Sequence, residues 1–411
     1  MKQIISSLDV GTSTIKLIVG EIYNDKLNVL ACSEIKSKGI KKGLIVNPEE
    51  VYQKLEEVFK RCEEILEIKI TDVVLCVPAY YADFEVVEGY TTIDREGGEI
   101  NGNDIVRALQ ASIYNKVPPN KELISIMPVE YKINEEIVKD PKGLVGGRLS
   151  IKSVISIAPK KNVYAIFSIL DNMNVKISDI SFNSLADYHE FKTDDMDEKE
   201  GALINVGDEK TEVSIINKGT LVATQVLEMG GKDIDKEIMY AYNIDRKTAR
   251  KLKETFALAH TDNASTTELE EVIDKSGAKI KINQYEITEI IYNKLKSIFE
   301  ISKKQINLLT KKENSYIIIT GGTTEIKDTS KVVDESFGKI GILTNVEEIG
   351  VRNNKYSSAL GMIKYYYRKL SFRKKKASTV TEEEQQMIFN NKKKNKDNTL
   401  LGKVFSYFFD N

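Results

Sequence analysis

Short stretches of apolar residues, separated by turns, predict a strand meander in the first part of the chain. These apolar stretches predict strands over residues 4–8, 15–22 and 27–33. Residues 73–77 are continuously apolar, which is typical of a strand that is covered on both faces. Before this strand, apolar residues at three- and four-residue spacing predict a helix. It is predicted to begin at Pro48, because proline is favoured in the first turn of a helix.

The same order of elements is predicted a second time from the middle of the chain. Hairpin strands are predicted over 203–206 and 211–217, and a further strand over 221–226. A helix from Lys232 and a buried strand over 316–319 complete the repeat. The pattern therefore predicts two duplicated α/β halves.

An insertion interrupts each half. The first, over 82–161, contains several short strands and a helix from Asn103 to Ile113, whose first residue can act as its N-cap. The second, over 232–313, is polar and predicted to be mostly helical, with helical spacing over 247–258 and 286–309.

The character of the chain changes near its end. A helix from about Tyr356 to Tyr367 precedes residues 368–398, which alternate basic and acidic runs and are predicted to be a flexible charged linker. Residues 399–411 are predicted to form an amphipathic helix. Its residues 400–409 span about 15 Å, too short to cross a bilayer core of about 30 Å, so the helix would lie in the membrane interface. Its apolar half consists of Leu400, Leu401, Val404, Phe405, Phe408 and Phe409, and its polar half of Gly402, Lys403 and Ser406.

Composition adds few constraints. The 411 residues are 41% hydrophobic, enough for two or more domains, and the net charge of −2 gives no field that would attract nucleic acid. Three cysteines lack metal or redox spacing and no signal peptide precedes them, which favours a reducing cytoplasm. No apolar run approaches the roughly 20 residues of a membrane span, so any membrane contact is expected to be peripheral.

The first predicted turn has the chemistry of a phosphate site. Gly11 lets the backbone come close to an anion, and Thr12 and Ser13 add donors. Asp9 can hold a hydrated divalent cation beside the phosphate. Lys16 lies two residues beyond Thr14 on the same face of the predicted strand, and is either a phosphate ligand or a surface lysine.

Three further glycine turns follow at long range. They lie at 207–211, at Gly230-Gly231 where a helix begins, and at 321–323 after a buried strand. Four such turns in this order resemble the nucleotide fold that actin, heat-shock chaperones and sugar kinases share.

A closer resemblance covers the whole chain. Residues 126–131 (IMPVEY) and 140–149 (DPKGLVGGRL) are similar to the characteristic insertion of the FtsA family, bacterial cell-division relatives of actin. The basic linker and the short aromatic helix at the end also resemble that family.

The resemblance implies an actin-like α/β fold with two duplicated ribonuclease-H-like halves, an inserted subdomain in each, and a disordered linker before an amphipathic helix. The implied boundaries are 1–81 with 162–195 for the first half, 82–161 for its insertion, 196–231 with 314–367 for the second half, 232–313 for its helical insertion, 368–398 for the linker and 399–411 for the membrane-targeting helix.

The resemblance also implies ATP as the ligand, with Mg²⁺ held only through the nucleotide. The implied phosphate and metal residues are Asp9, Gly11, Thr12, Ser13, Lys16, Gly207, Asp208, Lys210 and Thr211. The implied adenosine and ribose residues are Gly230, Gly231, Lys253, Gly321, Gly322 and Thr323.

Five positions depart from the family pattern. Thr14 stands where Lys is usual, and Arg250 where the ribose motif has Glu. Glu209 stands where the turn has glycine, so its side chain is expected to hinder the close approach of the backbone to phosphate. Asn183 and Asn205 stand where hydrolytic relatives have carboxylates, and neither can take a proton. Because general-base catalysis contributes about 10²–10⁴-fold, we expect nucleotide binding with weak or absent ATPase activity and no confident catalytic residue.

The implied function is a scaffold at the division site. It would polymerise with other subunits through 82–161, bind FtsZ through 232–313, recruit downstream division proteins, and attach to anionic lipid on the cytoplasmic face of the membrane. Two alternatives share the fold. A sugar- or acetate-kinase-like phosphotransferase would need a carboxylate base, and an actin-like pilus-assembly adaptor usually lacks an amphipathic anchor.

Overall fold

The computed structural model describes residues 2–95, 97–372 and 376–388. The first part of the chain forms an antiparallel meander, a helix and a parallel strand, as the sequence pattern predicts. The elements are β1 (Gln3–Val10), β2 (Thr14–Tyr23), β3 (Lys26–Lys36), the short strands β4 (Ile40–Lys41) and β5 (Leu44–Ile45), α1 (Pro48–Leu66) and β6 (Asp72–Val77). Helix α1 begins where Pro48 follows Asn47, whose side chain accepts a hydrogen bond from the N–H of Glu50.

The first insertion is a four-stranded antiparallel sheet with one helix on it. Its elements are β7 (Asp83–Thr92), α2 (Gly102–Ile113), β8 (Lys121–Ile133), β9 (Glu136–Val138) and β10 (Arg148–Pro159), and the strand order is β7-β10-β8-β9. The predicted cap of α2 was wrong by two residues. Asn101, not Asn103, caps the helix, because its side chain accepts from two amides while Asp104 bonds back to the N–H of Asn101.

The chain then returns to the first sheet through α3 (Lys160–Asn172), β11 (Lys176–Phe182) and α4 (Asn183–Phe191). Strand β11 pairs in parallel with β6, which itself pairs in parallel with β1. The completed sheet has the order β11-β6-β1-β2-β3.

A second sheet repeats this plan, with the order β18-β17-β12-β13-β14. Both of its faces are covered: Ala202 and Ile204 pack into one hydrophobic cluster, and Leu203 between them packs into the other. The elements of the second half are β12 (Glu200–Val206), β13 (Thr211–Asn217), β14 (Thr220–Leu227), α5 (Gly231–Tyr242), α6 (Arg246–Thr255), β15 (Leu269–Ile273), β16 (Lys279–Asn283), α7 (Gln284–Leu309), β17 (Ile317–Thr320), α8 (Thr329–Phe337), β18 (Gly341–Leu343) and α9 (Ser357–Phe372).

The second insertion contains one element that the helical pattern does not predict. Strands β15 and β16 form an antiparallel hairpin after the polar loop. Their side chains alternate between exposed and partly covered, with Ile282 alone fully buried. A two-stranded ribbon of this kind buries little apolar surface. The alternation of apolar and polar residues along its strands is therefore weak, and a charged sequence does not predict them.

Helices α4 and α9 cross between the two sheets at backbone distance. A Cβ atom on Gly361 would lie 1.8 Å from the carbonyl oxygen of Ala186, so only glycine permits this crossing. Next to it, the fully buried carboxylate of Asp187 accepts hydrogen bonds from Ser357 (2.7 Å) and Ser358 (2.8 Å) on α9. It also accepts one from Asn205 on β12, at 2.5 Å. One carboxylate therefore joins three elements from both halves.

The structure differs from the predicted flexible linker over residues 368–372 and 376–388. Helix α9 extends to Phe372, and residues 376–388 pack on the first half. The N–H of Thr379 donates to the carbonyl of Ile4 (2.9 Å), and its hydroxyl accepts from the N–H of Ser6 (2.8 Å). Ala377 and Ile388 are buried in the same core. Charged residues dominate the composition of residues 376–388. A few apolar side chains and the backbone groups of Ile4 and Ser6 in β1 are nevertheless sufficient to hold this segment on the first half.

The predicted amphipathic helix over 399–411 lies outside the described residues. Among the residues that are described, no helix has both the length and the hydrophobicity needed to cross a bilayer.

The buried Asp187 carboxylate generates a prediction about pH. Burial raises its pKa from 3.8 to about 6, against the opposing effect of the bonds from Asn205, Ser357 and Ser358. The folded state therefore binds this proton more tightly than the unfolded state, and the free energy of unfolding falls as pH rises from about 4 to 6. Asp187→Asn should remove this part of the decline, which is at most about 3 kcal/mol. Urea unfolding of both proteins between pH 4 and 7 measures it, and parallel pH curves would contradict the prediction.

Candidate functional site

A cleft between the two halves has a volume of about 580 Å³ and is lined by the turns that the sequence singles out. The turn between β1 and β2 and the turn between β12 and β13 contribute to the same cavity. The predicted site residues that line the cleft are Asp9, Gly11, Thr12, Ser13, Lys16, Asn183, Asn205, Gly207, Asp208, Lys210, Lys253, Gly321, Gly322 and Thr323.

The turn between β1 and β2 is closed by its backbone and presents hydroxyls. The N–H of Gly11 donates to the carbonyl of Thr14 at 3.1 Å, and a Cβ on Gly11 would lie 2.8 Å from that oxygen. The Thr12 hydroxyl is buried and has no hydrogen-bond partner among the described residues. Buried polar groups are normally paired, and a ligand at the turn would give this hydroxyl a partner.

The turn between β12 and β13 has the same closure, with the N–H of Gly207 donating to the carbonyl of Lys210 at 2.9 Å. The Glu209 side chain, predicted to hinder the approach of phosphate, is directed away from the cleft. It is paired with Lys232 and accepts from the N–H of Lys42 at 2.9 Å. The Glu209 side chain therefore does not block the turn, because Lys232 and the backbone of Lys42 hold its carboxylate outside the cleft.

Two predicted ligand groups in this part of the chain are already engaged. Thr211 is fully buried outside the cleft, and its hydroxyl donates to the carbonyl of Met229 at 2.9 Å. Gly230 and Gly231 also lie outside the cleft lining. The first amides of α5, those of Gly231 and Lys232, are hydrogen-bonded within the protein, to the carbonyls of Gly207 (2.9 Å) and Asp208 (2.7 Å).

The two glycines instead permit close packing. A Cβ on Gly230 would lie 2.5 Å from the carbonyl oxygen of Gly207, and one on Gly231 would lie 2.5 Å from the Thr323 hydroxyl. The start of α5 therefore supports the turn between β12 and β13 rather than a ligand.

Two lysines in the cleft are paired with carboxylates. The Lys16 ammonium lies 2.8 Å from the Asp9 carboxylate, and both side chains are almost fully buried. Lys210 is paired with Glu212, which also accepts a hydrogen bond from Ser184 at 3.0 Å. These lysines line the cleft next to the turns, so an anionic ligand would meet neutralised pairs and not free charges.

The predicted adenosine loop is built around Gly321. Its φ angle is +105°, and a Cβ would lie 2.5 Å from the Val206 carbonyl oxygen, so the position requires glycine. The Thr323 hydroxyl donates to the carbonyl of Gly207 at 2.8 Å, which ties this loop to the turn between β12 and β13. Lys253 is buried and bonds Asp235 (2.5 Å) and the Gly231 carbonyl (3.0 Å).

The two asparagines act as donors to acids. Asn183 donates to Asp9 at 3.1 Å, and Asn205 donates to Asp187 at 2.5 Å. Both amides therefore hold carboxylates of the first half and cannot serve as proton acceptors.

Sequence reasoning missed several residues that line the cleft. Lys355 lies 2.6 Å from the Glu34 carboxylate, and the Tyr356 hydroxyl donates to the same group at 2.6 Å. Burial alone would raise the pKa of Glu34, but the bonds from Lys355 and Tyr356 lower it. Glu212, inside strand β13, was missed as well. No motif marks these residues, because they come together only through the pairing of the two halves.

The charges in the cleft almost balance. Its lining has five basic and six acidic side chains: Lys16, Lys210, Arg250, Lys253 and Lys355 with Asp9, Glu34, Asp208, Glu212, Glu254 and Glu325. Within the described residues, no group of three or more His, Cys, Asp or Glu side chains could hold a metal ion on its own.

Solved structures with the same fold include proteins of three kinds. A PilM–PilN type IV pilus biogenesis complex aligns with a TM-score of 0.61 at 13% identity, over 87% of this chain and 97% of that chain. MreB5 of Spiroplasma citri bound to ADP aligns with a TM-score of 0.53 at 14% identity, over 90% and 98%. An ethanolamine utilization protein, EutJ of Carboxydothermus hydrogenoformans, aligns at 0.52. The chain thus has the actin-like fold, with two ribonuclease-H-like halves and an insertion in each.

Family models match both the insertion and the second half. The model described as "SHS2 domain inserted in FTSA" matches residues 82–156, and the model described as "Cell division protein FtsA" matches 202–361. The cell division protein FtsA of Bacillus subtilis is 25% identical over 88% of this chain and 83% of its own length. That of Enterococcus hirae is 24% identical over 87% and 82%. The chain belongs to the FtsA family of cell-division proteins.

Proposed function

We propose that this protein binds ATP with Mg²⁺ in the cleft between its halves and serves as a scaffold that links FtsZ filaments to the cytoplasmic face of the membrane during cell division. The observation that supports nucleotide binding best is the unpartnered Thr12 hydroxyl, buried in the turn between β1 and β2. Relatives with this fold include an MreB5 protein bound to ADP or AMPPNP.

The cleft suits a triphosphate that arrives with a cation. The turns that begin at Gly11 and Gly207 let the backbone approach phosphate, and Ser13 and Thr12 provide hydroxyls. Because the lining has one acidic side chain more than basic ones, a free ATP tetra-anion would be repelled. A bound Mg²⁺ supplies two positive charges and favours oxygen ligands from phosphates and water.

The same contacts support slow hydrolysis. Each acidic side chain of the cleft lining is already engaged: Asp9 by Lys16, Glu34 by Lys355, Asp208 by Arg246, Glu212 by Lys210, Glu254 by Arg250 and Glu325 by the N–H of Asn354. A carboxylate that is paired with a cation is a weak proton acceptor. This also makes a kinase-like phosphotransferase the less supported alternative.

Membrane attachment is proposed from the sequence of residues 399–411 together with the docking of residues 376–388. Because Ile388 is buried on the first half, eleven residues remain between it and Leu400. They can span at most about 40 Å, so the proposed anchor is held close to the body. We further propose that residues 82–161 contact the next subunit and that 232–313 bind FtsZ, with downstream division proteins as further partners.

Thr12→Val tests the nucleotide site. The change removes a hydroxyl that has no partner in the part of the chain that the structure describes, so the free energy of unfolding should stay equal or rise slightly. ATP affinity, measured by calorimetry with Mg²⁺, should fall about tenfold, because a hydrogen bond to a charged group contributes about 1.5–3 kcal/mol. Thr12→Ser, which keeps the hydroxyl, should bind ATP as the wild type does. Equal affinity of all three proteins would contradict the role of Thr12, and absence of ATP binding by the wild type would contradict the proposed function.

ATP turnover by the wild-type protein should be well below about one per second, the low end for enzymes. The reason is the absence of an unengaged carboxylate in the cleft. Phosphate release at saturating ATP and Mg²⁺ measures it, and a rate near one per second would show that one of the paired acids does act as a base.

The tail is tested by charge placed on either half of the predicted helix. Phe405→Glu with Phe408→Glu should weaken flotation with anionic vesicles about tenfold or more, because each buried Phe contributes about 1.5–3 kcal/mol. Ser406→Glu, which adds a charge to the polar half, should lower binding much less. The circular dichroism spectrum should not change in either variant. If the double variant floats as the wild type does, the tail is not the anchor.

A further inference from the structure

Arg250 joins the two hairpin turns that line the cleft. It lies on α6, and its Nη1 atom is 3.1 Å from the Ser13 hydroxyl in the turn of the first half. The same atom is 3.7 Å from the carboxylate of Asp208 in the turn of the second half. One guanidinium therefore contacts the two segments between which the phosphates of a bound nucleotide would lie.

The contacts of Arg250 differ from those of the other cations in the cleft. Its Nε atom donates to Glu254 at 2.8 Å, and this bond fixes the orientation of the guanidinium plane. The outer edge is then presented to the two turns, where it meets a neutral hydroxyl and one carboxylate beyond hydrogen-bond distance. By contrast, the ammonium groups of Lys16 and Lys355 lie 2.8 Å and 2.6 Å from their acidic partners.

The chemistry of the side chain suits phosphate. Guanidinium presents a planar set of donors that matches phosphate oxygens, and it stays charged at all relevant pH values. The side chain is about one-third exposed, so it can move to a ligand with little rearrangement of its surroundings. An exchange of the Ser13 hydroxyl for a phosphate oxygen would strengthen the bond, since the acceptor as well as the guanidinium donor would then be charged.

We propose that Arg250 binds the terminal phosphates of the nucleotide and so determines how strongly the site distinguishes ATP and ADP from AMP. The proposal rests on the proposed nucleotide-binding function and assigns its specificity for phosphate number to one residue. Lys253, one turn further along α6, is committed to Asp235 and the Gly231 carbonyl and does not take this role.

The test compares the affinities for ATP, ADP, AMP and 2′,3′-dideoxy-ATP, measured by calorimetry with Mg²⁺. Arg250→Gln should weaken ATP and ADP binding about tenfold or more, the usual effect of losing one charge-assisted contact. It should change AMP binding less than about threefold, because the contact is absent there in the wild type. Arg250→Lys keeps the charge and should retain part of the preference for ATP over AMP.

Lys251→Gln is the matched control, because it removes one positive charge from the same helix. Lys251 is the next residue on α6, lies 4.0 Å from Glu270 and does not line the cleft. This variant should keep the wild-type ratio of ATP to AMP affinity. A general weakening of α6 would instead lower the affinities for ATP and for AMP in both variants.

Three results would overturn the proposal. Arg250→Gln could bind all nucleotides as the wild type does, or could lose ATP and AMP affinity equally. The loss could instead be confined to ligands with ribose hydroxyls, with dideoxy-ATP unaffected, which would assign Arg250 to the ribose. A wild-type protein that binds none of these nucleotides would contradict the proposed function itself, and the proposal with it.

Discussion

The relative position of the two halves depends on the crossing of α4 and α9 and on the buried carboxylate beside it. Gly361 allows the helix backbones to touch, and Asp187 receives three hydrogen bonds from β12 and α9. Burial of a charge is costly unless it is fully bonded, so this carboxylate favours one arrangement of the three elements over others. The cleft exists because this arrangement brings two hairpin turns, distant in the chain, to the same cavity.

The charge pattern of the cleft follows from that arrangement. Basic and acidic side chains from both halves pair across and along it, so the site is nearly neutral in spite of its many charges. Paired groups cost less to keep buried, and they are poor proton acceptors. Such a nearly neutral site fits the proposed binding of a nucleotide with slow turnover better than it fits rapid chemistry.

The docking of residues 376–388 links the end of the chain to its first strand. The contacts of Thr379 with Ile4 and Ser6 use backbone groups of β1 that no neighbouring strand takes up. They shorten the segment that separates the folded halves from the predicted anchor.

The sequence alone predicts most strands, most helices, the duplicated plan and the residues of the glycine-hydroxyl turns, because periodicity and such turns are local signals. It misplaced the cap of α2 by two residues, missed the β15–β16 hairpin and took residues 376–388 for free linker, because these depend on a few contacts in a polar context. Which of the turn groups face the cleft is visible only in the folded protein, where distant segments come together. Thr211, Gly230 and Gly231 carry the right chemistry, yet neighbouring carbonyls and close packing use them. Glu34, Glu212 and Lys355 carry no local motif, and they enter the site because pairing between distant strands and helices brings them there.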